Sequence, residues 1–328
     1  MKNELLEIAN LSINFYTPSG ALTAVDGIKL SVGKKETVCL VGESGSGKTV
    51  SALAIMRLVP KPGVISSGEI IFNGENLLGI SEEGMRNIRG AEISMVFQEP
   101  FNCLNPVFRV CEQIGESVEI HLGLKGKKKD EKVLEVLKLV GIPDEKRVFN
   151  SYPHELSGGM RQRVMIAMGL VSNPALLIAD EPTTALDVTI QAQILELLAV
   201  LKEKLSLSIL LITHDLGIVN EIGDRVYVLY AGRIMEKGTK KEIFNGAKHP
   251  YTEGLLKSVP DLGPVKKRLY TITGNIPDLT DLPKGCRFHP RCPYVTDICR
   301  KKDPLEIKFS DNHSAWCFRY SDGEQKNG

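Results

Sequence analysis

The sequence has no uninterrupted apolar run of about 18 residues, the length a membrane-spanning helix needs; its best stretch, "LSLSILLI", is far shorter. It has no excess of either charge. Lys and Arg number 41 against 40 Asp and Glu, a net charge of +1, where a nucleic-acid-binding domain would normally be basic. The opening "MKNELLEIANLS" has no apolar core of the kind a secretory signal carries. A soluble, cytosolic chain is therefore expected, and in a reducing compartment stable disulfides are disfavoured. The seven cysteines need another explanation. One local concentration of basic residues, Lys125–Lys129 with a single glycine, reads as a solvated surface loop. The 328 residues, 42% hydrophobic and 25% charged, suffice for roughly two domains.

Residues 36–42, "ETVCLVG", read as a buried parallel strand in which Cys39 is a small hydrophobe. "GESGSGKT" follows at once, and "VSALAIMRLV" continues with helical spacing. Strand, glycine-rich loop and helix is the context in which G-x-x-x-x-G-K-T holds phosphate. Gly42, Gly45 and Gly47 let the backbone around Ser44 turn its N–H groups onto phosphate oxygens, and the helix N-terminus adds positive partial charge. Lys48 reaches the outer phosphates, and the Thr49 hydroxyl can ligate Mg²⁺.

"ALLIADEP", residues 175–182, is a second apolar strand that ends in adjacent carboxylates. Neighbouring side chains at a strand end point different ways, so the two acids can serve two tasks. Asp180 can hold Mg²⁺ through water, and Glu181 can act as general base on an attacking water. After the amphipathic helix "TIQAQILELLAVLKEKL" comes a third strand, "SILLITH", which ends at His214, placed to touch a γ-phosphate. A further motif, "ELSGGMRQRVMIAMGLV", opens a helix that Ser157 can cap; Gly158 and Gly159 leave its first N–H groups open to an anion. A chain that already owns a phosphate loop has use for a second anion site if that site serves a nucleotide held by another subunit.

Over residues 4–255 the chain resembles the ATPase subunit of ABC transporters, with four motifs in that family's order and spacing. The resemblance implies an α/β fold: a P-loop ABC-type nucleotide-binding domain with a RecA-like core and antiparallel β and helical subdomains. It also implies two ATPase subunits closing head to tail on ATP, each docked on a membrane-spanning permease subunit, with an extracellular solute-binding protein acting indirectly and no nucleic acid. Gln98 in "VFQEP" matches the glutamine that touches Mg²⁺ and the attacking water, and Asp187 in "TTALD" matches the loop that crosses the dimer interface. Tyr16 matches the aromatic that stacks on adenine, with Phe15 a rival. Met160 stands where the family more often has glutamine. The stretch of about residues 99–172 is expected as the helical subdomain that meets the membrane partner, with Cys103 and Cys111 as packing residues.

Beyond the ATPase domain, residues 1–258, prolines 260, 264, 277, 283, 290, 293 and 304 make residues 259–328 loop-rich. About seventy such residues do not easily build a core alone, so a metal staple makes physical sense. Cys286, Cys292, Cys299 and Cys317 follow a C-x5-C-x6-C-x17-C spacing. It has no tight C-x₂₋₄-C pair of the zinc kind; iron–sulfur clusters accept more varied loops. His289 and His313 keep a Cys/His zinc site open. "HPYTEGLLKSVP" and "GNIPDLTDLPKGCRFHPRC" resemble the C-terminal extension of the dipeptide and oligopeptide branch, which implies that the four cysteines hold a 4Fe-4S cluster. The implied activity is ATP hydrolysis that powers di- or oligopeptide import by a peripheral, membrane-associated complex. A related nickel or small-solute importer is the alternative, and an ATP-switched metal-cluster regulator is the alternative from another class.

Overall fold

The computed structural model describes residues 4–18, 20–98, 103–184, 186–259 and 270–321. The chain opens with β1 (Glu4–Thr17), β2 (Gly20–Gly33), β3 (Thr37–Val41), α1 (Lys48–Ile55), β4 (Gly63–Phe72), β5 (Glu75–Asn76), α2 (Glu82–Ile88) and β6 (Ile93–Val96). A helical stretch follows: α3 (Val110–Leu122), α4 (Lys127–Leu139), α5 (Glu145–Asn150) and α6 (Gly158–Leu170). Then come β7 (Leu176–Asp180), α7 (Val188–Leu205), β8 (Ser208–Thr213), α8 (Leu216–Ile222), β9 (Arg225–Tyr230) and β10 (Arg233–Thr239). The chain ends with α9 (Lys240–Gly246), α10 (Pro250–Ser258), α11 (Asp297–Lys301), β11 (Ile307–Lys308) and β12 (Ser314–Ala315). No helix among the described residues is long and apolar enough to cross a membrane.

The chain divides into two compact units. One holds Val32–Glu36 and Gly79–Leu211; the other holds Leu6–Ser31, Thr37–Leu78 and the chain from Ile212 onward. In the first, β7 runs parallel to β6, in register from Ile93↔Leu176 to Val96↔Ala179. Every residue of β7 is buried, as its unbroken apolar run requires of a strand covered on both faces. Helices α3 and α4 bury Val110, Ile114 and Val118, and Val133, Val136 and Leu137, the spacing of one apolar helix face. The Lys125–Lys129 run, expected as a surface loop, instead enters α4 at Lys127. Lysine is a good helix former, and Lys129 pairs with Glu119 of α3 at 2.7 Å. Cys103, expected to pack, is exposed, whereas Cys39 in the other unit is fully buried.

In the second unit, an antiparallel sheet of order β2-β1-β4-β5 accompanies strands in the order β11-β12-β10-β9-β3. Strand β3 runs parallel to β9 from Val38↔Arg225 to Val41↔Val228, which fixes where the loop after Val41 begins. Among the described residues, the C-terminal stretch joins this unit's core through Phe288. Tyr230, Tyr251 and Phe288 are fully buried, with ring centroids 4.7 to 5.3 Å apart. Residues Ser314 and Ala315 of β12 pair with Lys237 and Glu236 of β10. The buried Glu236 carboxylate accepts the backbone N–H groups of Lys248 and His249 at 2.7 and 2.9 Å, and lies 2.7 Å from His313 Nε2.

His249 is buried beside Glu236, and its Nδ1 accepts the Tyr251 N–H at 3.1 Å, capping α10. Burial pulls its imidazole down to about 4; Glu236 opposes this and Arg319 adds to it. An unfolded histidine titrates near 6.5, so between the two values the unfolded chain binds more protons and stability falls as pH falls. At pH 5 the loss is about 2 kcal/mol. His249→Asn keeps a cap acceptor and removes the titration. Thermal melts at pH 7 and pH 5 should show a smaller drop for the variant, and equal drops would refute this reading of His249.

Candidate functional site

In the second unit the glycine-rich loop leaves the end of β3. A Cβ on Gly42 would collide with the Leu229 carbonyl oxygen, so only glycine fits where the loop passes β9. Gly47, at φ 103, is the N-cap of α1 in a left-handed conformation that disfavours side chains. Lys48 is 5% exposed, and its Nζ donates to the carbonyls of Gly42 and Glu43 at 2.8 and 3.0 Å. Ser44, Gly45 and Thr49 are exposed. The Ser46 N–H donates to Glu43 O at 3.2 Å, and Gly232 N–H to Ser46 O at 2.8 Å, which ties the loop to the turn between β9 and β10.

His214 follows β8 and is exposed. The next residue, Asp215, is the N-cap of α8, and its Oδ1 accepts the Gly217 N–H at 2.7 Å. In β1, Tyr16 is 55% exposed. Phe15 pairs with Gly63 across β1 and β4, and its ring lies against that glycine. Of the two aromatics, Tyr16 is the one open to a stacking partner.

In the first unit Asp180 ends β7 and is 1% exposed. Glu181 has φ 46, a left-handed backbone that few residues other than glycine adopt; the turn separates the two carboxylates. Glu181 Oε2 accepts from Gln98 Nε2 at 3.1 Å and from Thr184 Oγ1 at 2.9 Å. The structure thus joins Gln98 to Glu181 through one oxygen, and Thr184 is a partner that the sequence reading missed. Ser157 caps α6, with Oγ accepting the Met160 N–H at 3.3 Å, and Gly159 lies against Ile190 of α7. Asp187, read as an interface residue, is exposed and caps α7 by accepting the Ile190 N–H at 2.9 Å.

Cys286, Cys292, Cys299 and Cys317 line one cavity of about 420 Å³, together with His289 and Phe288. Cys286 and Cys317 are buried, and the other two half-buried. Burial pushes the Cys286 thiol up to about 12 and the Cys317 thiol up to about 11, and it raises Cys292; neighbouring thiols add to each. Such thiols give up their protons when a cationic group compensates the charge. Backbone bonds set the wall: Cys286 N–H donates to Cys299 O at 2.9 Å, and Cys292 N–H to His289 O at 3.3 Å. His313 does not line the cavity, because it pairs with Glu236. Among the described residues no group of three or more His, Cys, Asp or Glu side chains is placed to hold a single metal ion.

Comparison with known proteins places these features. The family model for ABC transporters matches residues 25–184, and the model for the oligopeptide/dipeptide transporter C-terminal region matches residues 235–299. A putative peptide import ATP-binding protein of Brucella ovis is 49% identical over 333 residues, 98% of each chain. The chain belongs to the ABC transporter ATP-binding proteins. It is an ATPase with the P-loop ABC-type fold that the motifs implied. A dipeptide transport ATP-binding protein, DppD of Haemophilus influenzae, is 49% identical over 92% of this chain and 91% of its own. Among solved structures, the dimeric ATP-binding cassette MJ0796 with ADP and Pi has a TM-score of 0.65 at 27% identity, over 72% of this chain and 98% of its own. A further cassette, cbiO1 of Clostridium perfringens, has a TM-score of 0.64 at 30% identity, over 74% and 92%.

Proposed function

We propose that this ATPase powers the import of di- or oligopeptides through a membrane complex. The observation that carries the reading is the pairing of an intact ABC motif set with a C-terminal stretch, residues 235–299, that matches the oligopeptide/dipeptide transporters. The full-length relatives named for peptide import point the same way. In the unit that bears the phosphate loop, Lys48 takes the outer phosphates, Thr49 ligates Mg²⁺, His214 touches the γ-phosphate and Tyr16 stacks on adenine. In the other unit, Asp180 and Gln98 serve Mg²⁺ and its water, and Glu181 takes the proton of the attacking water. Ser157, Gly158 and Gly159 receive the phosphates of a nucleotide held by a second, related ATPase subunit, and Asp187 lies at that interface. Residues 1–258 are proposed as the ATPase domain, with about 99–172 its helical subdomain, and residues 259–328 as the C-terminal extension.

Permease subunits would hold the chain to the inner face of the membrane. An apolar groove of about 310 Å³, lined by Met95, Phe97, Met165 and Met168, supports that docking. So does the exposure of Val107 and Phe108, at 71% and 48%. Import of a labelled dipeptide into vesicles that carry the complex tests the function. It should be lost with Glu181→Gln, and import that persists would overturn the proposal.

The four cysteines are the proposed ligands of a 4Fe-4S cluster. What supports the reading is that all four cysteines line one cavity of about 420 Å³, many times the ~30 Å³ share of a water molecule. When bound, such a group supplies a structural staple for the loop-rich extension. Anaerobic purification should yield iron with matching acid-labile sulfide, both lost in Cys286→Ser. One zinc per chain without sulfide would sink the assignment.

A further inference from the structure

Glu43 places a carboxylate in the loop that receives a polyphosphate, one residue after Gly42. An unpaired acid there would repel the nucleotide. The C-terminal stretch covers it. Arg291 Nη1 donates to Glu43 Oε2 at 2.6 Å and Nη2 to Oε1 at 3.1 Å, a fork matched to both carboxylate oxygens. The guanidinium is itself held, by Nε to the Thr273 carbonyl at 3.0 Å, by Nη2 to the Ile272 carbonyl at 3.3 Å and by Nη1 to the Tyr230 hydroxyl at 3.4 Å. The arginine side chain is 5% exposed and the glutamate side chain 31%.

A second grip comes from α10, where the Tyr251 hydroxyl accepts the backbone N–H of Glu43 at 3.0 Å. The carbonyl of the same residue receives Lys48 Nζ and the Ser46 N–H. Glu43 is thus held at its N–H, its carbonyl and its carboxylate. The first and third of these contacts come from residues more than 200 positions away in the chain. Arg291 also closes the short turn His289–Arg291, directly before Cys292. One side chain therefore joins the wall of the cysteine cavity to the loop that carries Lys48.

We propose that Arg291 is a positioning residue for nucleotide binding: it neutralises and holds Glu43, and so keeps the phosphate loop receptive to ATP. The C-terminal stretch is then part of the control of the ATP site as well as a neighbour of it. The proposal rests on the assignment of Gly42–Thr49 to the nucleotide phosphates, which Lys48→Ala tests separately.

The experiment measures Mg-ATP affinity of the full chain by displacement of a fluorescent ATP analogue. Arg291→Gln should weaken binding about tenfold, the scale of a lost charge-assisted pair that leaves its partner exposed to a like charge. Glu43→Gln alone removes the repulsive group and sets the reference affinity for a loop without that charge. The double variant Arg291→Gln, Glu43→Gln should return to the value of Glu43→Gln. A purely structural role for the arginine gives no such rescue. Arg291→Lys keeps the charge and loses the fork, so it should fall between the parent and Arg291→Gln. High salt should shrink the defect of Arg291→Gln by screening. Parent-like binding by Arg291→Gln, or a double variant no better than it, overturns the proposal. Retained ATP binding by Lys48→Ala would instead overturn the loop assignment beneath it.

Discussion

Glu181→Gln is expected to bind Mg-ATP as the parent does and to hydrolyse it about 10²–10⁴-fold more slowly, the range that a positioned general base contributes. The geometry makes the substitution a clean one. Strand β7 is buried throughout and delivers Glu181 at a left-handed turn, so the backbone, more than the side chain, sets where this carboxylate lies. Gln98 Nε2 and Thr184 Oγ1 both donate to Oε2, at 3.1 and 2.9 Å. A glutamine amide oxygen in that place still accepts from both, so the local structure persists. What is lost is the ability to take a proton from water. Single-turnover phosphate release, measured beside nucleotide affinity, separates the two effects. Release at the parent rate would remove Glu181 from the role of base. Weakened ATP binding would show that the carboxylate serves mainly to hold the nucleotide or its metal.

The strands that carry the candidate nucleotide site were legible because their signal is local. Continuous apolar runs marked β3, β7 and β8, and the candidate site residues Lys48, Glu181 and His214 stand within a few residues of those strands' ends. Gly42 is readable from the motif it opens, whereas the Leu229 carbonyl that leaves no room for a side chain there is visible only in the fold. Contacts made across the chain left no such trace. Nothing near Glu43 in sequence announces Arg291, 248 positions on, or the Tyr251 hydroxyl. The histidine in "HPY" served as a family marker, while its work as a buried cap of α10 depends on Glu236, thirteen residues earlier. Asp187, expected at an interface from its match to the family's loop, caps a helix, and Asp215, to which the sequence reading assigned no role, caps another. The lysine run failed for a different reason: charge density signals exposure, and an exposed segment can be helical if its residues favour helix and a partner such as Glu119 lies alongside. His313 shows the limit of counting possible ligands, since a nearby carboxylate claims it before any metal can.

The second large effect is expected from Gly158→Asp, which separates folding from function at the proposed site for the partner's nucleotide. Gly158 is the first residue of α6, after the Ser157 cap. Its backbone is not left-handed, and an added Cβ would meet Leu186 at 3.4 Å, an ordinary contact. An acid in the first turn of a helix also favours the helix dipole, so thermal stability should stay within about 1 kcal/mol of the parent. Gly159 would not serve, because a Cβ there comes within 2.7 Å of Ile190 and would confound packing with chemistry. At Gly158 the new carboxylate occupies the ground where the helix N–H groups would meet a phosphate. Replacing an anion-binding N-terminus by a like charge should reduce ATP turnover of the assembled complex about 10²–10³-fold, as loss of preorganised donors does elsewhere. Affinity of the isolated chain for Mg-ATP should be unchanged, because its own phosphate loop is untouched. The pattern of intact melting, intact binding and lost turnover is what a shared pocket between subunits requires. If the folded variant turns over at the parent rate, the "LSGGM" motif has no part in hydrolysis; if it loses binding in isolation, the motif serves this chain's own nucleotide.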